Sequence, residues 1–415
     1  MPTKRASRSL AGGIIAIVVS CFAACAPGGT VADPMDATQG SNDGQASDVL
    51  GEGDAGPGVD AGLVGDVGLG VDAEDADTSS GLNTLKRLGL ARPFSEVGPW
   101  NTPFRGTEAW FDSPTLRQTV AAEGTPGLIR HWYVGEKSVS TWRSTNADPV
   151  WTFVMPSYVY APFNRQRPAS TFTFHCPANM VENQDVDHIL VVINTDTGEL
   201  VEVWQAETTN SPSPDPSGTT TWQKQALPAR TVTNRIFGGA VAPGWARSNI
   251  VTDPGAGTTV QSGGTNDGTR ASNFSWHAGL ITGRDMAAPT IDHALVVSLG
   301  YVTLDNQNWV APATAPDNGG HSGPMQMGDR IGVPPGIAMP AGMSTLGQKV
   351  FRALQTYGAY VGDFAGSPYP ILYIDSRDVL FSDTYPLFAW FFGNPTPDMD
   401  KISPLLRIAN RNPGG

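Results

Sequence analysis

Between Arg8 and Lys86 the chain contains no lysine or arginine, and from residue 26 to residue 82 it has no aromatic side chain either. A stretch of that kind, carrying twelve carboxylates that repel one another, cannot bury enough apolar surface to offset the entropy of ordering it. The fold must therefore be built from residue 83 onward, where all eleven Trp, all six His and 30 of the 34 Pro occur. Residues 26–82 read as a disordered acidic tether. Within it Asp54, Asp60, Asp66 and Asp72 recur every six residues, but calcium-binding repeats carry denser Asp at a longer period, so a self-repelling spacer is the better reading. As a flexible coil it reaches roughly 40 Å.

Ahead of the tether, Lys4, Arg5 and Arg8 precede an apolar run from Leu10 to Ala24, which is short for a membrane span and flanked like a secretory signal. Ser20-Cys21 and Ala24-Cys25 both resemble the acylation site of bacterial lipoproteins, Cys25 having the better small pair and a flexible leader after it. Residues 1–25 are thus expected to be a lipoprotein signal peptide. The protein is expected to be lipid-anchored and extracytoplasmic, at the outer membrane or cell surface.

The whole chain has a formal charge of −13, yet from Asn83 onward it holds 27 acids against 23 bases. A domain so close to neutral has no basic face to neutralise phosphates, which excludes nucleic acid as a partner. Its Gly and Pro content is high, and strand-like runs alternate with turn clusters: Trp151 to Met155, Ser170 to Phe174, His188 to Ile193, Leu200 to Trp204, His293 to Leu299 and Tyr369 to Ile374. Asn194 to Gly198 is a hairpin signal, because Asn, Asp and Gly tolerate positive φ. One helix is expected, capped by Ser344 or Thr345, with Leu346, Val350, Ala353, Leu354, Tyr357 and Val361 on one face. Residues 83–415 are expected to form a single all-β domain, a β-sandwich or jelly-roll-like fold with one packed amphipathic helix near its C-terminal end.

The segments Val186-Asp-His-Ile-Leu-Val-Val192 and Ile291-Asp-His-Ala-Leu-Val-Val297 echo each other 105 residues apart. If their strands are neighbours in one sheet, His188 and His293 approach each other. On a regular pleat His188 shares a face with Leu190 and Val192, and His293 with Leu295 and Val297.

Gly98-Pro-Trp-Asn-Thr102, the runs Asp187 to Ile193 and Gly198 to Trp204, Ala278-Gly-Leu-Ile281, Asp292-His-Ala-Leu295, Met327-Gly-Asp-Arg330 and Ala353 to Asp363 resemble, in order, the blocks of a largely uncharacterised family of secreted bacterial proteins. The resemblance covers most of residues 95–385 and implies an extracytoplasmic β-rich domain with no settled activity. The family pattern has His at the positions of His188 and His293 and an acid at that of Glu202. This chain departs from it by insertions around residues 211–221 and 306–320, and by Phe364 where a small polar residue is usual.

No Gly-x-Ser-x-Gly, His-Glu-x-x-His, phosphate-binding glycine loop or paired CxxC is present. Cys176 follows His175, but neighbours on a strand point apart, so a buried inert thiol is the better reading. The candidate chemical set is His188, Glu202 and His293: two imidazoles and a carboxylate suit general acid/base work or three ligands of a metal, and which metal or cofactor stays open. The competing reading is that each His ties off a strand end and Glu202 is an exposed edge charge. His321 suits a binding loop, and His277 and Asp363 are weaker candidates, the latter because an acid at a helix C-terminus opposes the dipole. Trp110, Trp222, Trp245 and Trp309, in or beside polar loops, are the candidates for stacking on sugar rings, whereas Trp151 and Trp204 sit in strand patterns.

A neutral, aromatic-rich surface domain fits a carbohydrate polymer as partner. The first reading is that it binds a polysaccharide or cell-wall polymer, extended to cleavage if His188, Glu202 and His293 converge in an open groove. The alternative is a non-catalytic adhesion or structural lipoprotein, marked by burial of these residues with each His satisfied by backbone.

Overall fold

All six strand-like runs form strands, each shifted by a residue or two from the sequence expectation: Val150–Met155, Ser170–His175, Leu190–Asn194, Glu199–Val203, Leu295–Leu299 and Ile371–Tyr373. The computed structural model describes residues 92–111, 131–133, 139–155, 158–160, 165–167, 169–184, 187–214, 222, 224–237, 240–241, 244–256, 270–300, 303–316, 322–365, 371–375, 377 and 397–409, all within one compact unit. Cys21, Cys25, the acidic segment 26–82 and His321 lie outside the described residues.

Strands dominate, and among the described residues the expected helix, Thr345–Thr356, is the one α-helix of more than two turns. The all-β expectation therefore holds. The largest sheet has seven strands, in the spatial order Trp110–Phe111, Arg407–Ala409, Arg330–Gly332, Ala359–Phe364, Leu295–Leu299, Ile371–Tyr373 and His131–Tyr133. A four-stranded sheet runs Trp245–Asn249, Glu199–Val203, Leu190–Asn194, Thr141–Ser144, and a second runs Ala206–Thr208, Thr231–Asn234, Val150–Met155, Ser170–His175. Pairing is mixed: Leu295–Leu299 lies parallel to Ala359–Phe364 and antiparallel to Ile371–Tyr373.

The first four-stranded sheet is buried on both faces. Val191, Ile193 and Leu200 join the core cluster of the seven-stranded sheet, while Leu190, Val192, Val201 and Val203 join a second cluster with Trp151, Phe153, Phe174 and Val232. Burial on both sides explains why Leu190-Val-Val-Ile193 reads as an unbroken apolar run rather than an alternating one. The hairpin between its central strands turns at Gly198, with φ of +75°. Asn194 Oδ1 accepts from the amides of Asp196 and Thr197, an Asx turn that sets the register Val191 opposite Glu202.

The helix Thr345–Thr356 starts at Ser344, whose hydroxyl accepts from Gly347 N, and buries Leu346, Val350, Phe351, Ala353 and Leu354. Asp363 is not at its end. The chain turns through Gly358 (φ +74°) into the strand Ala359–Phe364, so Asp363 is a strand residue and the dipole argument does not apply to it. The two echoed segments also part company: Leu190–Asn194 belongs to the four-stranded sheet and Leu295–Leu299 to the seven-stranded one.

Candidate functional site

His293 sits just before its strand, buried, with Nδ1 donating to Ala294 O at 2.9 Å and Nε2 facing Asp285 Oδ2 at 3.3 Å. Asp285 comes from the short helix Gly283–Ala287, whose capping box locks it: Asp285 N donates to Thr282 Oγ1, and the Thr282 amide and hydroxyl both donate to Asp285 Oδ2. The buried ammonium of Lys349 donates to the main-chain carbonyls of Asp285 and Met286. Beside this group lies His277, also buried, its Nδ1 against Thr141 Oγ1 at 3.2 Å.

Glu202 is reached from the other side. Its Oε1 accepts from Ser275 Oγ at 2.7 Å and from His277 N at 3.0 Å. It lies in a central strand and is fully buried, so the expectation of an exposed edge charge is corrected. Asp375, directly after the strand Ile371–Tyr373, accepts from Thr141 N at 3.1 Å. The network thus runs from the four-stranded sheet (Thr141, Glu202) through the 275–277 turn to the rim of the seven-stranded sheet.

Burial pulls the pKa of Asp285 up, but the His293 charge and the Thr282 donors outweigh it and leave the carboxyl below its ordinary value. For His293, burial acts to lower the pKa and Asp285 overcomes it, so the imidazole is held above its ordinary value. His277 goes the other way, down to about 3, because it is buried and then repelled by Arg143 and His293. Two neighbouring histidines therefore prefer opposite charge states, one an imidazolium paired with a carboxylate and one neutral.

His188 enters differently. It has φ of +43°, a left-handed value that breaks the pleat, so its side chain does not follow the alternation of Leu190 and Val192 as expected. It is buried with Nδ1 donating to Asn183 O at 3.1 Å, and its own carbonyl accepts from Ala206 N. Of the expected trio, Glu202 accepts from the main-chain amide of His277 and His293 pairs with Asp285, whereas His188 is held in the loop that leads into Leu190–Asn194. His277, the weaker sequence candidate, bonds Glu202 through its amide and Thr141 through its ring. Asp285 went unnoticed although Thr282-Gly-Arg-Asp285 spells a capping box.

The tryptophans divide. Trp309 is 48% exposed and Trp110 half-buried, but Trp222 and Trp245 are buried at 7% and 8%, against expectation. Trp222 lies on Arg235 (3.8 Å from guanidinium to ring) and donates to Glu207 at 3.2 Å, completing a buried network with the Arg235–Glu182 pair at 2.9 Å. Trp245 is an edge-strand residue packed on Phe153 and Phe172. Trp151 is buried as expected and Trp204 is partly buried. Cys176 is a buried free thiol whose pKa burial raises far above its ordinary value, and His175 bonds Asp148 O instead of the sulfur.

An open site occurs elsewhere, at the ends of the two four-stranded sheets. A cavity of about 430 Å³ is lined by Asn146, Asn194, Thr173, Glu199, Arg247 and Asn249, among others. Its size falls in the range of small-ligand sites. Arg247 and Glu199 pair across it at 2.5 Å through Glu199 Oε1, with the guanidinium 5.0 Å from the Phe172 ring. Their charges offset each other, and the rest of the wall is amides and hydroxyls together with Val150, Phe174 and His175.

Among the described residues no group of three or more His, Cys, Asp or Glu is placed to hold a metal ion, and no helix is long and apolar enough to cross a membrane. Comparison with known proteins finds no matching family model, curated protein or solved structure.

Proposed function

We propose that the protein is a surface lipoprotein whose β-rich domain binds a neutral carbohydrate polymer without cleaving it. The observation that carries this reading is the 430 Å³ cavity, whose wall combines amides, hydroxyls and the Glu199–Arg247 pair with the apolar faces of Val150 and Phe174 and the ring of His175, a mixture that suits the hydroxyls and C–H faces of a sugar. Cleavage at His188, Glu202 and His293 loses its support because all three are buried and both histidines bond main-chain carbonyls. These side chains serve as framework. The anchor rests on Cys21 and Cys25 after the apolar run, and the acidic segment serves as spacer.

The test is incubation of the protein with a panel of neutral and acidic polysaccharides, scoring both retention and new chain ends. Retention on a neutral polymer with no new reducing or unsaturated ends is expected. New chain ends, or retention on acidic polymers alone, would overturn the reading.

A further inference from the structure

Away from the cavity, and next to the 275–277 turn of the histidine network, one buried cation is left incompletely bonded. Arg270 lies in a tight turn closed by Arg270 N to Phe274 O and Asn273 N to Arg270 O. Its side chain is fully buried, and its guanidinium lies 4.2 Å from the centre of the Trp276 ring and 4.3 Å from that of Tyr373. Nη2 donates to Trp276 O at 3.3 Å, and Nη1 approaches Asp363 Oδ2 at 3.5 Å, too far for a hydrogen bond of ordinary length. Among the described residues, neither Nε nor Nη1 of Arg270, nor Nε1 of the neighbouring Trp276, has a hydrogen-bond partner. A buried donor left unbonded is destabilising, so unbonded N–H groups on two touching side chains are an unusual arrangement for a fold to keep.

The backbone beneath them is irregular at the same place. Leu295–Leu299 and Ala359–Phe364 pair in parallel as far as Val297 opposite Val361, then the register slips and Ser298 falls opposite Asp363. Gly362 is the extra residue. A Cβ there would meet Val296 Cγ2 at 2.6 Å, so a larger residue would have to displace the Val296 side chain. The slip brings Asp363 level with Ser298, whose hydroxyl is 2.7 Å from Tyr373 OH. Ser298 and Asp363 both lie at the carboxyl ends of this parallel pair.

Charge narrows the ligand. Asp363 offsets Arg270 at 3.5 Å. An added anion would meet the Asp363 carboxylate. A vicinal diol meets complementary groups instead, one hydroxyl accepting from Arg270 or Trp276 and the next donating to Asp363. Of these groups Asp363 is the one at the surface, 14% exposed.

We propose that Arg270, Trp276 Nε1, Asp363 and the Ser298–Tyr373 hydroxyl pair form a second binding site, for one neutral sugar unit held through adjacent hydroxyls. It stands apart from the cavity lined by Arg247. The full chain, labelled with ¹⁵N, is titrated with glucose, xylose and N-acetylglucosamine, and in parallel with glucuronate and inorganic phosphate, following the indole N–H of Trp276 and the Nε–H of Arg270. Both resonances are expected to shift saturably with a neutral sugar. Asp363→Asn should weaken that response at least tenfold and Tyr373→Phe severalfold, with Arg247→Ala leaving it unchanged. Should Asp363→Asn fail to fold, the titration of the unaltered chain still decides. No shift with any neutral sugar, or shifts with glucuronate or phosphate only, would overturn the assignment.

Discussion

His277 and His293 make opposite demands on pH. His277 titrates at about 3 in the fold against 6.5 when unfolded, so the unfolded chain takes up a proton that the fold refuses. Stability should fall as pH drops from about 6.5 toward 3, by up to about 1.4 kcal/mol per pH unit. The raised pKa of His293 contributes stability that is complete below 6.5 and lost as pH rises through its folded value. The lowered pKa of Asp285 contributes above 3.8 and is lost as pH falls through its folded value. His277→Gln is thus expected to flatten the acid limb and His293→Gln the limb above 6.5, read from urea melts between pH 4 and 8.5; an unchanged profile in either variant would contradict the assignment. Sequence reading reached His293 through the repeated Asp-His pair and Glu202 through the hairpin that returns it near Leu190. It could not see that the 275–277 turn bonds Glu202, since that contact closes a gap of 75 residues.

At the level of elements, the hairpin ending at Gly198 connects fold and cavity. Its φ of +75° suits glycine, and a Cβ would press on the Asn249 side chain at 3.1 Å. Gly198→Val is expected to cost about 1–2 kcal/mol from the left-handed backbone alone, and to displace Asn249 from the cavity wall. Chemical denaturation checks the first effect and polysaccharide retention the second; a neutral substitution would show that the turn does not constrain the site. The hairpin and the helix cap at Ser344 were legible because each is encoded within a few neighbouring residues. Sheet order was not, because Leu295–Leu299 takes partners from Ala359–Phe364 and Ile371–Tyr373, and local pattern does not name a distant partner. His188 shows a finer limit: its left-handed φ undoes an orientation inferred from perfect alternation.

At the scale of the whole molecule, the proposed function divides the chain into an anchor, a spacer and a binding domain. Replacing both Cys21 and Cys25 by Ser is expected to release the protein from membranes or block its maturation, with Cys176→Ser leaving fractionation unchanged; membrane retention of the double variant would refute the anchor. The fold class was readable from turn density and short strand runs, whereas the cavity was not, because Asn146, Asn194, Glu199 and Arg247 come from separate strands and turns and carry no motif. The central claim is that ligand binding belongs to this cavity and the buried Glu202–His277–His293 group to the framework. The most direct measurement compares Arg247→Ala with Glu202→Gln for polysaccharide retention per folded molecule and for stability. Arg247 is surface-paired, so its removal should cost no more than about 1 kcal/mol while retention falls tenfold or more. Glu202→Gln should cost about 1–3 kcal/mol and leave retention by the folded fraction intact. The reverse pattern, with retention lost in Glu202→Gln and kept in Arg247→Ala, would contradict the account.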